Sequence, residues 1–356
     1  MYSHLQQSKS ILLSGCGGGY DVFCGLDLYF NLISQAKKVV FGNYSFTNIN
    51  LLKEVGEMVS PCCYKIDSNT LFDEAEYIKD LIKIVIPPNY VLEQMNYTKD
   101  EYIAMHANLN KFQDADGNAT CYFPEYKLIS TLKEKYNLDA TIYCFAFNSD
   151  GMQGIKDLTE AYNKIIELEN IDTVVLVDGG TDALMTGCEK DDKGKPLLGT
   201  PFEDVSSIVA VYNSSCDRNR QFLYSLGYNV DRYHDVTDEN FLKNTANQIK
   251  NDCFVGSYML NKRNESAQKY IDTFMNCNPE NSIVNSHIVM SLQGNFGNVR
   301  CEWLHHRIGG SDQYIHPLMS LYWIYELKGV YEYLMYDVEK LKETRSEYEI
   351  SQLLHL

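Results

Sequence analysis

Thr173-Val174-Val175-Leu176-Val177-Asp178-Gly179-Gly180-Thr181-Asp182 is the stretch on which the fold turns. An unbroken β-branched and aliphatic run with no polar alternation reads as a strand buried on both faces of a sheet. An acid, two glycines and, after a threonine, a second acid end it. Glycine admits positive φ and lets a ligand approach the backbone closely, so this ending reads as a tight turn beside a binding cleft. The chain repeats the arrangement near its start, where Ile11-Leu12-Leu13 leads into Ser14-Gly15-Cys16-Gly17-Gly18-Gly19-Tyr20-Asp21. Such a turn, set between a buried strand and a helix, exposes amide N–H groups that suit an anion.

Outward from these two turns, continuous apolar runs at 10–14, 38–42, 141–147, 172–178 and 206–212 read as buried parallel strands, with Cys62-Cys63-Tyr64-Lys65-Ile66 a weaker sixth. Amphipathic stretches separate them. Residues 20–36 place Val22, Phe23, Leu26, Phe30 and Ile33 at helical spacing, 124–136 opens on Pro124, which suits a first helical turn, and 154–169 joins two strands as a right-handed βαβ unit. The repeated β-α-β order predicts an α/β protein: a doubly wound, mainly parallel, Rossmann-like sheet with helices on both faces. Residues 1–356 read as one large domain. It carries an irregular insertion at 87–120, a long loop at 183–204 of the kind that serves as a lid, and a mostly helical C-terminal part at 260–356. That last part is rich in tyrosine (Tyr314, Tyr322, Tyr325, Tyr331, Tyr333, Tyr336), which makes its helices the candidate surface for a homo-oligomer.

Charge excludes some partners. With 31 basic against 48 acidic residues the formal net charge is −17, and no Lys/Arg run offsets it. Phosphate backbones and anionic membrane surfaces repel such a chain, so neither nucleic acid nor membrane is an expected partner. The most apolar stretch, 317–336, is interrupted by Glu326, Lys328 and Glu332. The 11 cysteines are scattered with no CxxC pair, which argues against structural zinc, and the polar start Met1–Gln7 shows no signal peptide. The expectation is a reduced, cytoplasmic protein.

Several familiar sites are ruled out by spacing. A dinucleotide fingerprint starting at Gly15 needs glycine where Tyr20 stands, and Gly42-Asn43 replaces the acid expected after the second strand. There is no GxSxG, GxxxxGK[ST] or HExxH motif. Asp114-Ala115-Asp116-Gly117-Asn118 lacks the later glutamate of a calcium loop and reads as a turn, and His305 and His306 read as surface residues.

The segments that follow the strands are small and polar: Gly15–Asp21, Gly42–Ser45, Asn148–Gly151, Asp178–Asp182 and Asn213–Asp217. In open α/β sheets ligands bind outside the carboxyl ends of the strands. Gly17, Gly18, Gly19, Asn43, Gly179, Gly180 and Thr181 are therefore the candidate ligand-binding residues. Asp21, Asp178 and Asp182 are the candidate catalytic residues, as acid/base groups or as ligands to a cofactor such as Mg²⁺. Asp21 also fits an N-cap, and Glu203 and Asp204, in the first turn of a helix starting at Thr200 or Pro201, fit capping chemistry. Cys16 has no histidine near it in sequence and reads as a small filler.

The order of these pieces resembles a known family. A strand and a glycine run ending in Asp come first, then Phe123-Pro124-Glu125-Tyr126, Gly151-x-x-Gly154, Val175-Leu176-Val177-Asp178-Gly179-Gly180-Thr181-Asp182, Gly187-Cys188-Glu189 and a Thr-Pro-x-Glu-Asp stretch. The chain is similar to prokaryotic-type α/β proteins known only as a domain of unknown function, with an N-terminal GGGxD loop and a VLVDGGxD motif. The likeness spans most of 10–215 and reaches loosely to His316-Pro317-Leu318. It implies an α/β fold and a ligand pocket, and supplies no substrate. Members often carry a further glycine where Cys16 stands.

Two functions follow. One is an enzyme, a hydrolase or transferase, acting on a small anionic metabolite that is phosphorylated or nucleotide-like. The other is a noncatalytic metabolite sensor or structural protein. Convergence of the aspartates favours the enzyme, and separate helix caps favour the alternative.

Overall fold

The computed structural model describes residues 3–77, 121–146, 153–189, 201–234, 236–304, 308 and 310–354. The chain divides into two compact units, one of residues 1–68 with 124–356 and one of residues 69–123. In the smaller unit, the described residues include a helical turn whose Glu76 amide is capped by Asp73 and whose Glu74 accepts the Cys121 amide at 2.8 Å. The expected insertion at 87–120 falls in this range and outside the described residues.

The larger unit is built on one nine-stranded sheet. In chain order its elements begin β1 (Ser10–Gly15), α1 (Asp21–Cys24), α2 (Leu26–Ser34), β2 (Lys38–Tyr44), α3 (Ile49–Val55), β3 (Glu57–Ser60) and β4 (Cys63–Asp67). They continue with α4 (Pro124–Tyr136), β5 (Thr141–Phe145), α5 (Ile155–Glu169), β6 (Thr173–Gly179), α6 (Pro201–Tyr212), β7 (Gln221–Leu226), α7 (Asp238–Lys250) and β8 (Phe254–Met259). Then come α8 (Glu265–Met275), α9 (Ile283–Leu292), β9 (Gly297–Val299), β10 (Gln313–Ile315), β11 (Leu321–Glu326), α10 (Leu327–Tyr333), α11 (Val338–Leu341) and α12 (Glu347–Leu354). The strand order is β3-β4-β5-β2-β1-β6-β7-β11-β8. The five central strands, β5-β2-β1-β6-β7, run parallel, and antiparallel strands flank them on both sides.

The two central strands are the ones first singled out. β1 and β6 pair directly, Ile11 with Thr173 through Gly15 with Val177. The chain moves from β1 to β2 on one side and returns to β6 on the other, so the sheet's switch point lies between β1 and β6, where open α/β sheets bind ligands. Side chains alternate across the sheet as the strand period requires. Leu12, Val174 and Leu176 join a core with Leu158, Tyr162 and Ile165 of α5, while Leu13 points to the other face and meets Gly25 between α1 and α2.

One expected strand is a helix. Residues 206–212 form the body of α6, and Ser206, Ile208, Val209, Ala210 and Val211 are all fully buried. α6 packs against α5, β6, α10, α11 and α12. Covered on every side, it carries no polar stripe, and a buried helix without a stripe is indistinguishable by periodicity from a buried strand. Asn213–Asp217 therefore follow a helix and precede β7, at the sheet edge opposite the glycine turns. The strand that takes the expected place is β7, whose Gln221, Tyr224 and Ser225 interrupt the apolar signal although all are buried.

The C-terminal part is helical, with β11 inserted into the sheet and a separate β9–β10 pair. Its tyrosines are largely spent inside the fold: Tyr322 and Tyr325 are fully buried on β11, and Tyr331 stacks on Tyr212 with ring centroids 3.8 Å apart. Among the described residues no helix is long and apolar enough to cross a membrane.

Because Ile208 is fully buried on a helix packed on all sides, Ile208→Ala is expected to cost ~2–5 kcal/mol, read as a shift of the urea midpoint at unchanged m-value.

Candidate functional site

Both glycine turns sit at the C-terminal edge of the parallel strands, one after β1 and one after β6. In the first, Gly18 adopts φ +90°, a conformation that a side chain disfavours, and a Cβ there would also lie 2.9 Å from the Tyr44 carbonyl oxygen. The amides of this turn are committed inward. Cys16 N–H donates to Val177 O at 2.8 Å, Gly19 N–H to Tyr44 O at 2.9 Å, and Gly17 N–H to Asp21 Oδ2 at 2.7 Å. Gly179, on the other turn, also gives its amide to Asp21. A Cβ on Gly179 would stand 2.6 Å from Asp21 Oδ1, so glycine is what lets that carboxylate come so close.

The second turn repeats the device with a residue that sequence reading missed. Asp231, buried in the turn after β7, accepts the Thr181 amide at 2.6 Å on Oδ2 and faces the Thr181 hydroxyl at 3.3 Å. Gly180 gives its amide to Leu226 O at 2.8 Å. The amides expected to cradle an anion thus largely hold carboxylates and main-chain carbonyls, and an anion arriving here meets acids first.

Those acids converge. Asp21, Asp178 and Asp204 each place a carboxylate oxygen within 4.8 Å of the others. Asp178 ends β6 with 1% of its surface exposed, and its Oδ2 has no hydrogen-bond partner among the described residues. Asp204 reaches the cluster from the first turn of α6 and is fully buried. Asp182 stands outside this trio, at the start of a 3₁₀ turn (Asp182–Leu184), and is buried near enough to act on Asp21, Asp178 and Asp231 by charge. No lysine, arginine or histidine among the described residues pairs with Asp21, Asp178 or Asp231.

The electrostatics follow from burial without a counter-charge. Loss of water, then the charge of Asp182, lifts Asp21 from the ordinary 3.8 to about 7, against the pull of the Gly17 and Gly179 amides. Asp178 is lifted well above its usual range by burial first, then by Asp182, Asp21 and Asp231, with the Ser225 hydroxyl tempering the rise. Asp231 moves the same way, through burial and Asp182, against its Thr181 hydrogen bonds. Burial and Asp204 push the Cys16 thiol far up, which leaves it a filler and no nucleophile.

Asn43 serves the turn from behind. Fully buried, it donates through Nδ2 to Gly19 O and to Glu125 Oε1, both at 2.8 Å, and Thr47 Oγ1 donates to the other Glu125 oxygen at 2.9 Å. Glu125, in the first turn of α4, anchors this chain of bonds to the first glycine turn. Beside the acids a cleft of about 480 Å³ opens between the end of β2, α6 and α12, with Tyr44, Phe46, Phe202, Glu203 and Glu347 in its wall. Burial, then Asp182 and Glu347, lift Glu203 from 4.5 to about 7. Asn148–Gly151, residues 190–200 of the 183–204 loop, and His305 and His306 lie outside the described residues.

Folded-state carboxyls held above their unfolded values bind protons more tightly in the folded state. The stability they contribute is full below about pH 4 and is lost as pH rises through about 7. The cation-free protein is therefore expected to lose on the order of a few kcal/mol of unfolding free energy between about pH 5 and 8. Urea titrations across that range check this, and Asp21→Asn should flatten the slope.

The comparisons with known proteins are narrow. No curated protein and no solved structure matches the chain. The model of one protein family matches residues 128–355, a span that holds β6 and its turn, Asp204 and Asp231 and leaves out the first glycine turn. With well over half its length matched, the chain belongs to the family described as "Protein of unknown function (DUF1152)".

Proposed function

We propose that this protein is a divalent-cation-dependent enzyme that acts on a small, anionic, phosphorylated metabolite at the switch point between β1 and β6. One observation carries the reading: three aspartates from three separate elements, Asp21 half-buried and Asp178 and Asp204 buried, aim oxygens at one place, and Asp178 has an oxygen with no partner among the described residues. Burying such charges without compensation is costly, and a hard cation bound by oxygen ligands is the standard compensation. A Mg²⁺-like ion supplies neutralisation of the carboxylates and a positive pole for phosphate oxygens.

The chain's own residues do the rest. Asp21, Asp178 and Asp204 are the ligands. Asp21 arrives oriented by one amide from each turn, so little freedom is lost on binding. Asp231, held by Thr181 and lifted well above its usual range by burial and then Asp182, is the group that would give or take a proton. The anionic ligand enters with the cation, since carboxylates surround the place it must occupy.

Isothermal titration with Mg²⁺ and Mn²⁺ tests the reading. The wild-type chain should bind, and Asp178→Asn should weaken binding at least ~10-fold while the unfolding midpoint holds or rises, because relief of like-charge repulsion offsets the loss. Unchanged binding with a large loss of stability would make Asp178 a structural residue and end the proposal.

Gly179→Ala offers a second handle. Its methyl group pushes the Asp21 carboxylate aside and should also weaken cation binding, with a smaller effect on Tm. A thermal-shift screen of sugar phosphates and nucleotides with Mg²⁺ present then ranks ligands, since binding to the folded state raises the midpoint.

A further inference from the structure

We infer that Glu125 is a positioning residue for the acidic site: from α4 it fixes, through Asn43, the glycine turn that aims Asp21. The consequence for a cation rests on the reading above, and the hold on the turn does not.

The turn needs an outside hold. Gly18 and Gly19 are both left-handed, at φ +90° and +60°, and three glycines in succession lose more freedom on being fixed than any other residues would. The turn's inner bond, Gly17 N–H to Asp21 Oδ2, is made by the carboxylate that also serves the site. The two residues that end β2 supply the rest. Tyr44 O accepts the Gly19 amide at 2.9 Å, and Asn43 Nδ2 donates to Gly19 O at 2.8 Å. Asp21 continues directly from the clamped residues, its own amide donating to Gly18 O at 3.1 Å.

The Asn43 amide has two unlike ends, and Glu125 decides which one faces the turn. Asn43 Oδ1 has no hydrogen-bond partner among the described residues and lies against Gly15, where a Cβ would stand 2.4 Å away, so nothing on that side selects an orientation. On the other side Nδ2 spends one proton on Gly19 O and the other on Glu125 Oε1, each at 2.8 Å. Turning the amide over would set its oxygen against both of those oxygens. Glu125 is itself fully buried and held by the hydroxyls of Thr47, at 2.9 Å, and Ser45, in the segment that follows β2. An acceptor at 125 thus makes Asn43 a donor to Gly19, and Asp21 inherits the order. Residues that orient a ligand from behind in this way commonly set metal affinity without touching the metal.

Mg²⁺ titration calorimetry and amide exchange by NMR, both on the full chain, test this. Glu125→Met keeps the length and removes the oxygen, and should weaken Mg²⁺ binding ~10-fold and speed exchange of the Gly19 amide. Glu125→Gln keeps an oxygen for Asn43, while the Thr47 hydroxyl turns to accept from the new amide, so affinity should stay within ~2-fold of wild type with Gly19 still protected. Asn43→Ala breaks the same link and leaves the Glu125–Thr47 bond intact. It should repeat the loss, and it stands in if Glu125→Met does not fold. A role in folding alone would lower Tm and leave the affinity of the folded protein unchanged. Wild-type affinity in Glu125→Met or Asn43→Ala, or an equal loss in Glu125→Gln, overturns the inference. A wild-type chain that binds no Mg²⁺ fails the cation reading alone. Gly19 exchange then decides this one: faster exchange in Glu125→Met or Asn43→Ala but not in Glu125→Gln upholds it, and equal exchange in all overturns it.

Discussion

The carboxylate of Asp21 accepts an amide from each of two turns that lie more than 150 residues apart in sequence. That tie holds the two halves of the sheet's switch point in register. It requires a left-handed turn at Gly18, a bare α-carbon at Gly179, and β1 and β6 as direct neighbours. A side chain at Gly179 or a one-residue slip in the pairing would separate the turns and disperse the acids gathered around them.

What the tie gathers is an imbalance. Asp21, Asp178, Asp182, Asp204 and Asp231 come from different parts of the chain, and the fold sets no ion pair against Asp21, Asp178 or Asp231 among the described residues. Structural ion-pair networks also shift pKa values, but they do so with both signs of charge present. Here one sign is present and the shifts all run upward. The glycine turns, which look from sequence like receptors for an anion, are occupied in orienting these carboxylates. On the reading proposed above, the turns aim the acids, and an anionic ligand would be held through the cation that neutralises them.

The central strands were legible because burial on both faces removes polar alternation: Ile11-Leu12-Leu13 and Val174–Val177 have no competing reading next to a glycine turn. α4 and α5 were legible from a proline start and a clean helical stripe. α6 hides its period for a related reason, since a helix enclosed by β6, α5, α10, α11 and α12 has no wet face to declare it. β7 is masked in the sequence because Gln221 and Ser225, both buried, look like loop residues in a linear string. The site shows the same division. Asp21 and Asp178 could be found because glycines mark them. Asp204 sits where capping acids usually sit, and only the burial of α6 distinguishes it. Asp231 follows a strand that was not read, and Glu125 carries no local signal beyond its place after Pro124.

The composition of α6 has a consequence for how the site comes together in time. Val205, Ile208, Val209 and Val211 are β-branched, and such residues form helix poorly in isolation. A segment of 12 residues with this content gains its order from the surfaces that enclose it and has little helical bias before they assemble. Asp204 rides on its first turn, so one corner of the acidic trio takes position only when the layers around α6 have closed. The site is thus coupled to the global folding equilibrium. Loosening a distant contact, such as the stacked rings of Tyr212 and Tyr331, would make the site form less often without touching any residue in it.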